Sequence, residues 1–176
     1  MITLADKQQQ LDFLKTYQAY YDKAAADLGI QPDIVAAQWA LESAWGTDTQ
    51  AVDAHNLGGV MKAAGVMWAF QDFDQFVRVY VNSMHNDCPA LQDGQTDHLH
   101  LTAEEIFTHD HYNTVNPHYG AEIAAIVASI EALKSPATEP ATEPATSAST
   151  PQDASAAPDP ANVLKELSAI LKKAGY

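Results

Sequence analysis

A mainly α-helical body, followed by a linker and one further helix, is what this sequence predicts. Three observations carry that expectation. Apolar residues recur at three- and four-residue steps through the long segments. Residues that open or close helices stand at the ends of those segments, and the composition changes abruptly near Lys134. At 176 residues the chain can bury one sizeable core and carry a tail, but not two full domains.

The elements follow in order. Leu11, Leu14, Tyr17, Tyr21, Ala24 and Leu28 form one stripe, so a first long helix is expected to end at Gly29. Pro32 suits the first turn of a second helix, with Asp33 favourable near its positive end. Ile34, Gln38, Leu41 and Trp45 share its stripe, and Gly46 is placed to terminate it. From Phe70 to Met84 an acidic turn leads into a third helix through Phe76, Val77, Tyr80, Val81 and Met84. Thr102 with Glu105 forms a capping box for a short helix over Ala103 to His109. Asn116-Pro117 opens a further helix through Ile123, Ile126, Val127 and Ile130. Strand content is expected to be small.

Three parts result: a body over 1–134, a linker over 135–160 and a terminal helix over 161–176. All three Trp and six of the seven Tyr lie in the body. The linker is almost entirely Pro, Ala, Thr, Ser and acid, and it includes a Pro-Ala-Thr-Glu repeat. Without large apolar side chains it cannot offset its ordering entropy, so a solvated spacer is expected. In the terminal segment Val163, Leu164, Leu167, Ile170 and Leu171 fall on one helical face. A lone helix of that length is marginal in water. It is therefore expected to dock on the body, self-associate or bind a protein partner.

Charge and cysteine narrow the function classes. Lys and Arg number 9 against 23 Asp and Glu, a formal charge of −14. That balance argues against nucleic acid, which is bound through basic patches, and against nonspecific attraction to anionic membranes or wall polymers. A substrate has to be gripped by stacking and hydrogen bonds. Cys88 is the only cysteine, so no internal disulfide forms. With Pro89 beside it and no basic neighbour, its thiol is a poor nucleophile. No segment approaches a membrane span of roughly 18 apolar residues, and Met1 to Gln10 has no apolar signal-peptide core.

The chemistry concentrates at Gln38-Trp39-Ala40-Leu41-Glu42-Ser43-Ala44-Trp45-Gly46. One carboxyl sits there among aromatic and apolar neighbours, near the negative end of a helix. Such surroundings raise a carboxyl pKa and let it donate a proton at neutral pH. Glycosidic cleavage needs that donor, because a sugar oxygen leaves poorly until protonated. Gln38 lies one turn back on the same face, and Trp39 and Trp45 lie three residues either side. As a bare sequence feature Glu42 could equally be a solvated surface glutamate. Trp68, in a turn, is a candidate for stacking on sugars, whereas Phe70, Phe73 and Phe76 read as core and cleft wall.

The segment Ala37 to Gly46 resembles the signature of the glucosaminidase-type peptidoglycan hydrolases of glycoside hydrolase family 73. Asn56-Leu57-Gly58-Gly59-Val60-Met61-Lys62 is similar to that family's Asn-Leu-Phe-Gly-Ile-Lys run, one residue longer. Tyr112-Asn113-Thr114-Val115-Asn116-Pro117-His118-Tyr119 is similar to its Tyr-Ala-Thr-Asp-Pro-x-Tyr pattern. The resemblance spans roughly Leu11 to Leu133 in preserved order. It implies a lysozyme-like α domain with a cleft and a reduced β-lobe, cutting peptidoglycan glycan strands after N-acetylglucosamine. Glu42 would be the acid and Tyr119 the active-site tyrosine. Gln38, Trp45, Asn56, Gly59, Trp68 and Tyr112 would contact substrate.

One departure from the pattern concerns the second acid. Many family members carry one on the β-lobe, but Lys62 to Gln75 offers only Asp72 and Asp74. Either could activate water, both could merely solvate the turn, or the substrate's own N-acetyl group could attack the anomeric carbon. The histidines His98, His100, His109, His111 and His118 supply zinc-ligand types. Their one-residue spacings point side chains apart on a helix, and Gln92 to His100 reads as loop. They read as solvated loop histidines, and neither metal nor cofactor is expected. The absent signal peptide and small catalytic body suggest a phage or prophage lysin, holin-released or virion-carried, or else a trimmed secreted chain acting at the bacterial wall. The rival expectation is a non-catalytic glycan-binding module tethered to a larger assembly by its final helix.

Overall fold

The computed structural model describes residues 7–63, 65–108 and 115–135. The linker beyond Ser135, the terminal helix, His109, His111 and Tyr112 lie outside the described residues. The elements are α1 (Lys7–Leu28), α2 (Pro32–Glu42), α3 (Thr49–Asp53), β1 (Met61–Ala63), β2 (Val66–Met67), α4 (Phe73–Asp87), α5 (Ala103–Ile106) and α6 (Tyr119–Lys134). A 3₁₀ turn, Pro89–Leu91, follows α4. The mainly α expectation holds, with the two short antiparallel strands as the β content among the described residues.

The core is organised around α2. Every residue from Ile34 to Ala40 is buried, including Ala36, Ala37 and Ala40 at zero exposure. A helix apolar on all sides belongs in the middle of a fold, and α2 packs against both α1 and α6. α1 also packs on α4, and α5 packs on α6. Trp39 sits between these layers, its ring 4.8 Å from Phe76 and 5.4 Å from Tyr80. Phe70 and Phe76 are buried and Phe73 packs against the core, as read from their spacing.

Helix ends follow from local chemistry. The Ile30 N–H donates to Ala25 and the Gly29 N–H to Ala26, at 3.1 and 3.3 Å, closing α1. Gly29 has φ +68, and a Cβ there would lie 2.2 Å from the Thr96 carbonyl oxygen, so no other residue fits. α2 repeats this closure without glycine. Trp45 N–H donates to Ala40 and Ala44 N–H to Leu41, with Ala44 at φ 49 and Trp45 at φ 58. The helix thus stops at Glu42, short of Gly46.

The capping box at Thr102 is present in both halves, but α5 ends at Ile106, three residues before His109. α6 begins at Tyr119 rather than at Asn116-Pro117. One helix has no counterpart in the sequence expectation: α3, opened by the Asp48 carboxylate accepting from Gln50 N–H at 2.9 Å. α2 and α6 run antiparallel and are clasped at both ends. Lys134, at the end of α6, donates to Asp33, at the start of α2; Tyr119, at the start of α6, reaches Glu42, at the end of α2.

His98 corrects the reading of the loop histidines. It is 1% exposed, with Nδ1 3.2 Å from the Leu28 carbonyl oxygen and Nε2 2.9 Å from Asp93. Both ring nitrogens face acceptors, an arrangement that suits the doubly protonated ring. The Asp93 carboxylate pushes its pKa up and burial opposes that. The polar loop folds back onto the end of α1, where the His98 N–H also donates to Gly29.

Candidate active site

Glu42 is the last residue of α2, placed there by the buried helix behind it. Its carboxyl enters a shallow cleft of about 380 Å³ lined by Gly58–Met61, by Tyr80, Ser83, Met84 and Asp87 of α4, and by Val115 and Tyr119. Burial pushes the Glu42 pKa up, and the Glu122 charge on α6 adds to that. A hydrogen bond from Tyr119 opposes both. The net effect is a carboxyl held above the usual range in a site open to ligand, the property a general acid requires.

Three side chains stand behind Glu42. Tyr119 Oη donates to Glu42 Oε1 at 2.5 Å. The Gln38 amide donates to Tyr119 Oη at 3.3 Å, and Tyr80 Oη donates to Gln38 Oε1 at 2.7 Å. Gln38 is fully buried and Tyr80 nearly so. On the opposite side, Gly59 has φ +65, and a Cβ there would come within 2.8 Å of Glu42 Oε2. The loop backbone therefore lies against the second carboxyl oxygen with no side chain intervening.

Asn56 shapes that loop from behind. It is completely buried; its Oδ1 accepts from Val60 N–H, and its Nδ2 donates to the Val60 and Trp68 carbonyl oxygens, each at 2.8 Å. Its amide bonds the backbone of the Asn56–Val60 turn and fastens it to the hairpin. Trp68 follows β2, is 37% exposed, and stacks on Phe70 at 5.7 Å and 10°. An offset, near-parallel ring pair with one exposed face offers a platform at the hairpin's edge.

The remaining sequence candidates lie elsewhere. Trp45 turns away from the cleft, packs edge-on against Phe13 at 5.7 Å, and lines a separate hollow with Phe13 and Tyr17. Asp72 caps α4, accepting from Gln75 N–H at 2.7 Å. Asp74 pairs with Lys23 at 3.1 Å on the exposed surface. Neither aspartate lines the cleft. Among the described residues, the acids near Glu42 are instead Asp87, which lines the cleft and accepts from Ser83 Oγ at 2.8 Å, and Glu122.

Sequence reasoning placed Tyr80 in the core and left Ser83, Asp87 and Glu122 unassigned. One signal was available: a tyrosine within an otherwise apolar stripe needs a partner for its hydroxyl. Cys88 is buried, and burial pushes its thiol pKa far up, as suits an inert core thiol. Among the described residues no group of three or more His, Cys, Asp or Glu is arranged to hold a metal ion, and no helix is long and apolar enough to cross a membrane.

Comparison with known proteins adds independent information. The family profile described as Glucosaminidase, mannosyl-glycoprotein endo-beta-N-acetylglucosaminidase, matches residues 18–132. The fold is similar to the crystal structure of a peptidoglycan hydrolase from Sphingomonas sp. A1, with a TM-score of 0.53 and 18% identity over 76% of this chain and 99% of that one. A mutant of a peptidoglycan hydrolase from Sphingomonas sp. A1 gives the same TM-score and identity over 67% and 92%. No curated protein matches the sequence.

Proposed function

We infer, from the premise that this chain belongs to the glucosaminidase family, that it is an endo-β-N-acetylglucosaminidase cutting peptidoglycan glycan strands after N-acetylglucosamine. The observation that carries this is Glu42: a carboxyl with a raised pKa at the mouth of a cleft, hydrogen-bonded by Tyr119. Glu42 protonates the glycosidic oxygen as the bond to the anomeric carbon breaks. General acid catalysis of this kind contributes roughly 10²–10⁴-fold.

The second half of the reaction is best supported as substrate-assisted. Asp72 and Asp74 are engaged at the start of α4, away from the cleft lining. The acetamide carbonyl oxygen of the bound sugar attacks its own anomeric carbon while the leaving oxygen takes the Glu42 proton. A water then opens the cyclic intermediate, giving its proton to the Glu42 carboxylate and restoring the acid. This route retains anomeric configuration. Gly59 and Trp68 belong to the glycan-facing wall in this reading, while Gln38 and Asn56 support it from behind.

Action at the bacterial wall follows from the substrate. The test is digestion of purified sacculi by wild type and Glu42→Gln, with mass spectrometry of borohydride-reduced fragments. Reduced N-acetylglucosamine ends from wild type alone support the reading. Reduced N-acetylmuramic acid ends would make the protein a muramidase. Binding of both proteins without fragments would replace the enzyme by a glycan-binding module.

A further inference from the structure

We propose that Tyr80 is a positioning residue that, through Gln38 and Tyr119, fixes which oxygen of Glu42 carries the catalytic proton. The inference deepens the reading of Glu42 as the acid and rests on it. Three hydrogen bonds linking α4, α2 and α6 form a chain with a direction.

An amide side chain can present either its oxygen or its nitrogen to a neighbour, and the distances choose between them. Tyr80 Oη lies 2.7 Å from one end of the Gln38 amide, and Tyr119 Oη lies 3.3 Å from the other. Hydroxyl-to-oxygen bonds cluster near 2.7–2.8 Å and bonds from amide nitrogen lie near 2.9–3.0 Å. The short contact is therefore Tyr80 O–H donating to Oε1, and the long one is Nε2–H donating to Tyr119 Oη. Reversing the amide would put an N–H at the short distance and a hydroxyl at the long one, against both preferences.

With Gln38 donating to it, Tyr119 has its own proton to give forward. The 2.5 Å separation from Glu42 Oε1 is that of a hydroxyl donating to a carboxylate oxygen. Oε1 is thereby committed as an acceptor, and the acid's proton resides on Oε2. That is the oxygen lying against the bare Gly59 backbone, in the wall of the cleft. Tyr80 thus sets the relay by donating into a fully buried amide, where an unmatched dipole is costly. If Tyr80 cannot donate, the Gln38 oxygen loses the hydroxyl that holds it toward α4; an amide turned oxygen-first toward Tyr119 takes that proton, and Glu42 loses the bond that stabilises its charged form.

Among the described residues, the titratable groups facing Glu42 are Tyr119 and Glu122 of α6 and Tyr80 and Asp87 of α4; the Gly58–Met61 loop contributes none. Removing the donation leaves burial and the Glu122 charge unopposed, so the Glu42 pKa moves further up.

The experiment compares wild type, Tyr80→Phe, Tyr119→Phe and the double variant by ¹³C-carboxyl NMR titration of Glu42. It pairs that with pH profiles of kcat and KM on solubilised glycan strands. Tyr80→Phe should raise the Glu42 titration, carry the alkaline limb of kcat upward, and lower kcat about three- to tenfold with KM unchanged. Tyr119→Phe should do the same, and the double variant should add nothing to it. An unmoved Glu42 titration in Tyr80→Phe, or additive effects in the double variant, would overturn the relay. The titration does not need turnover, so it decides the relay even if the protein proves not to cut glycan. Gln38→Met, which lacks both amide groups, provides a second break in the chain should Tyr80→Phe fold poorly; it too must shift the titration.

Discussion

Replacing Gly59 by alanine separates two effects that are usually entangled. The first is backbone strain: φ is +65, and a non-glycine residue in the left-handed region costs about 1–2 kcal/mol. The second is the new methyl group, which would lie 2.8 Å from Glu42 Oε2 and 3.3 Å from Cδ. That contact falls on the far tip of a flexible side chain, so relieving it adds little to the stability cost. The relief itself is a displacement of the carboxyl away from Tyr119 and the cleft. Misplacing a catalytic group by an ångström costs up to about 10²-fold in rate.

Gly94→Ala is the matched control, because Gly94 has φ +78 and nothing within 4 Å of the added carbon. Both variants should lose a few degrees of melting temperature, about 2–8 °C for each kcal/mol in domains near this size. Only Gly59→Ala should lose sacculus hydrolysis, measured by reducing ends released at a temperature where both are folded. Equal activity in the two variants would refute the claim that the bare Gly59 backbone makes room for Oε2.

Two further outcomes concern pH. Glu42 titrates above its ordinary 4.5 because it is buried, so its contribution to stability is complete below that value and falls as pH rises through the folded pKa. Glu42→Gln should therefore melt higher than wild type at neutral pH, with the advantage shrinking as the medium is acidified; an advantage independent of pH would contradict the burial argument. His98 is raised above 6.5 by the Asp93 carboxylate, and Asp93 is lowered below 3.8 by the His98 hydrogen bond. The histidine's share is lost as pH rises through its folded pKa, and the aspartate's as pH falls through its own. Asp93→Asn should thus destabilise most between pH 3.8 and 6.5, less in high salt because Asp93 is exposed. Thermal melts across that range would show it, and a flat difference would count against a charged His98.

Much of the fold was legible because its long helices carry apolar stripes and chemically marked ends, as at Gly29, and because a full capping box at Thr102 marks even the short α5. α3 was not: five residues cannot display a periodicity, and its only mark is Asp48. The motif residues Glu42, Gly59 and Tyr119 were readable as candidates, yet their mutual placement depends on helix packing across 77 residues of chain. Asn56 and Gln38 illustrate a different limit. A polar residue in a motif reads as ligand-facing, whereas burial turned both toward structure. The loop around His98 misled because polar composition implies solvation, and nothing local reveals that the Leu28 carbonyl oxygen and Asp93 would receive the ring.

The clasp between α2 and α6 has a consequence for how the protein breathes. Its two ends are the Asp33–Lys134 ion pair and the Glu42–Tyr119 hydrogen bond; α2 is buried throughout Ile34 to Ala40, and α6, packed on it, buries Tyr119, Ile123 and Ile130. Parting the two helices therefore means opening a cooperative unit near the top of the local-stability ladder. Amide hydrogens of α2 and α6 should exchange last and together, whereas those of the exposed hairpin over Met61–Met67 exchange early. On that pattern the Glu42–Tyr119 pair stays assembled while the hairpin beside it opens.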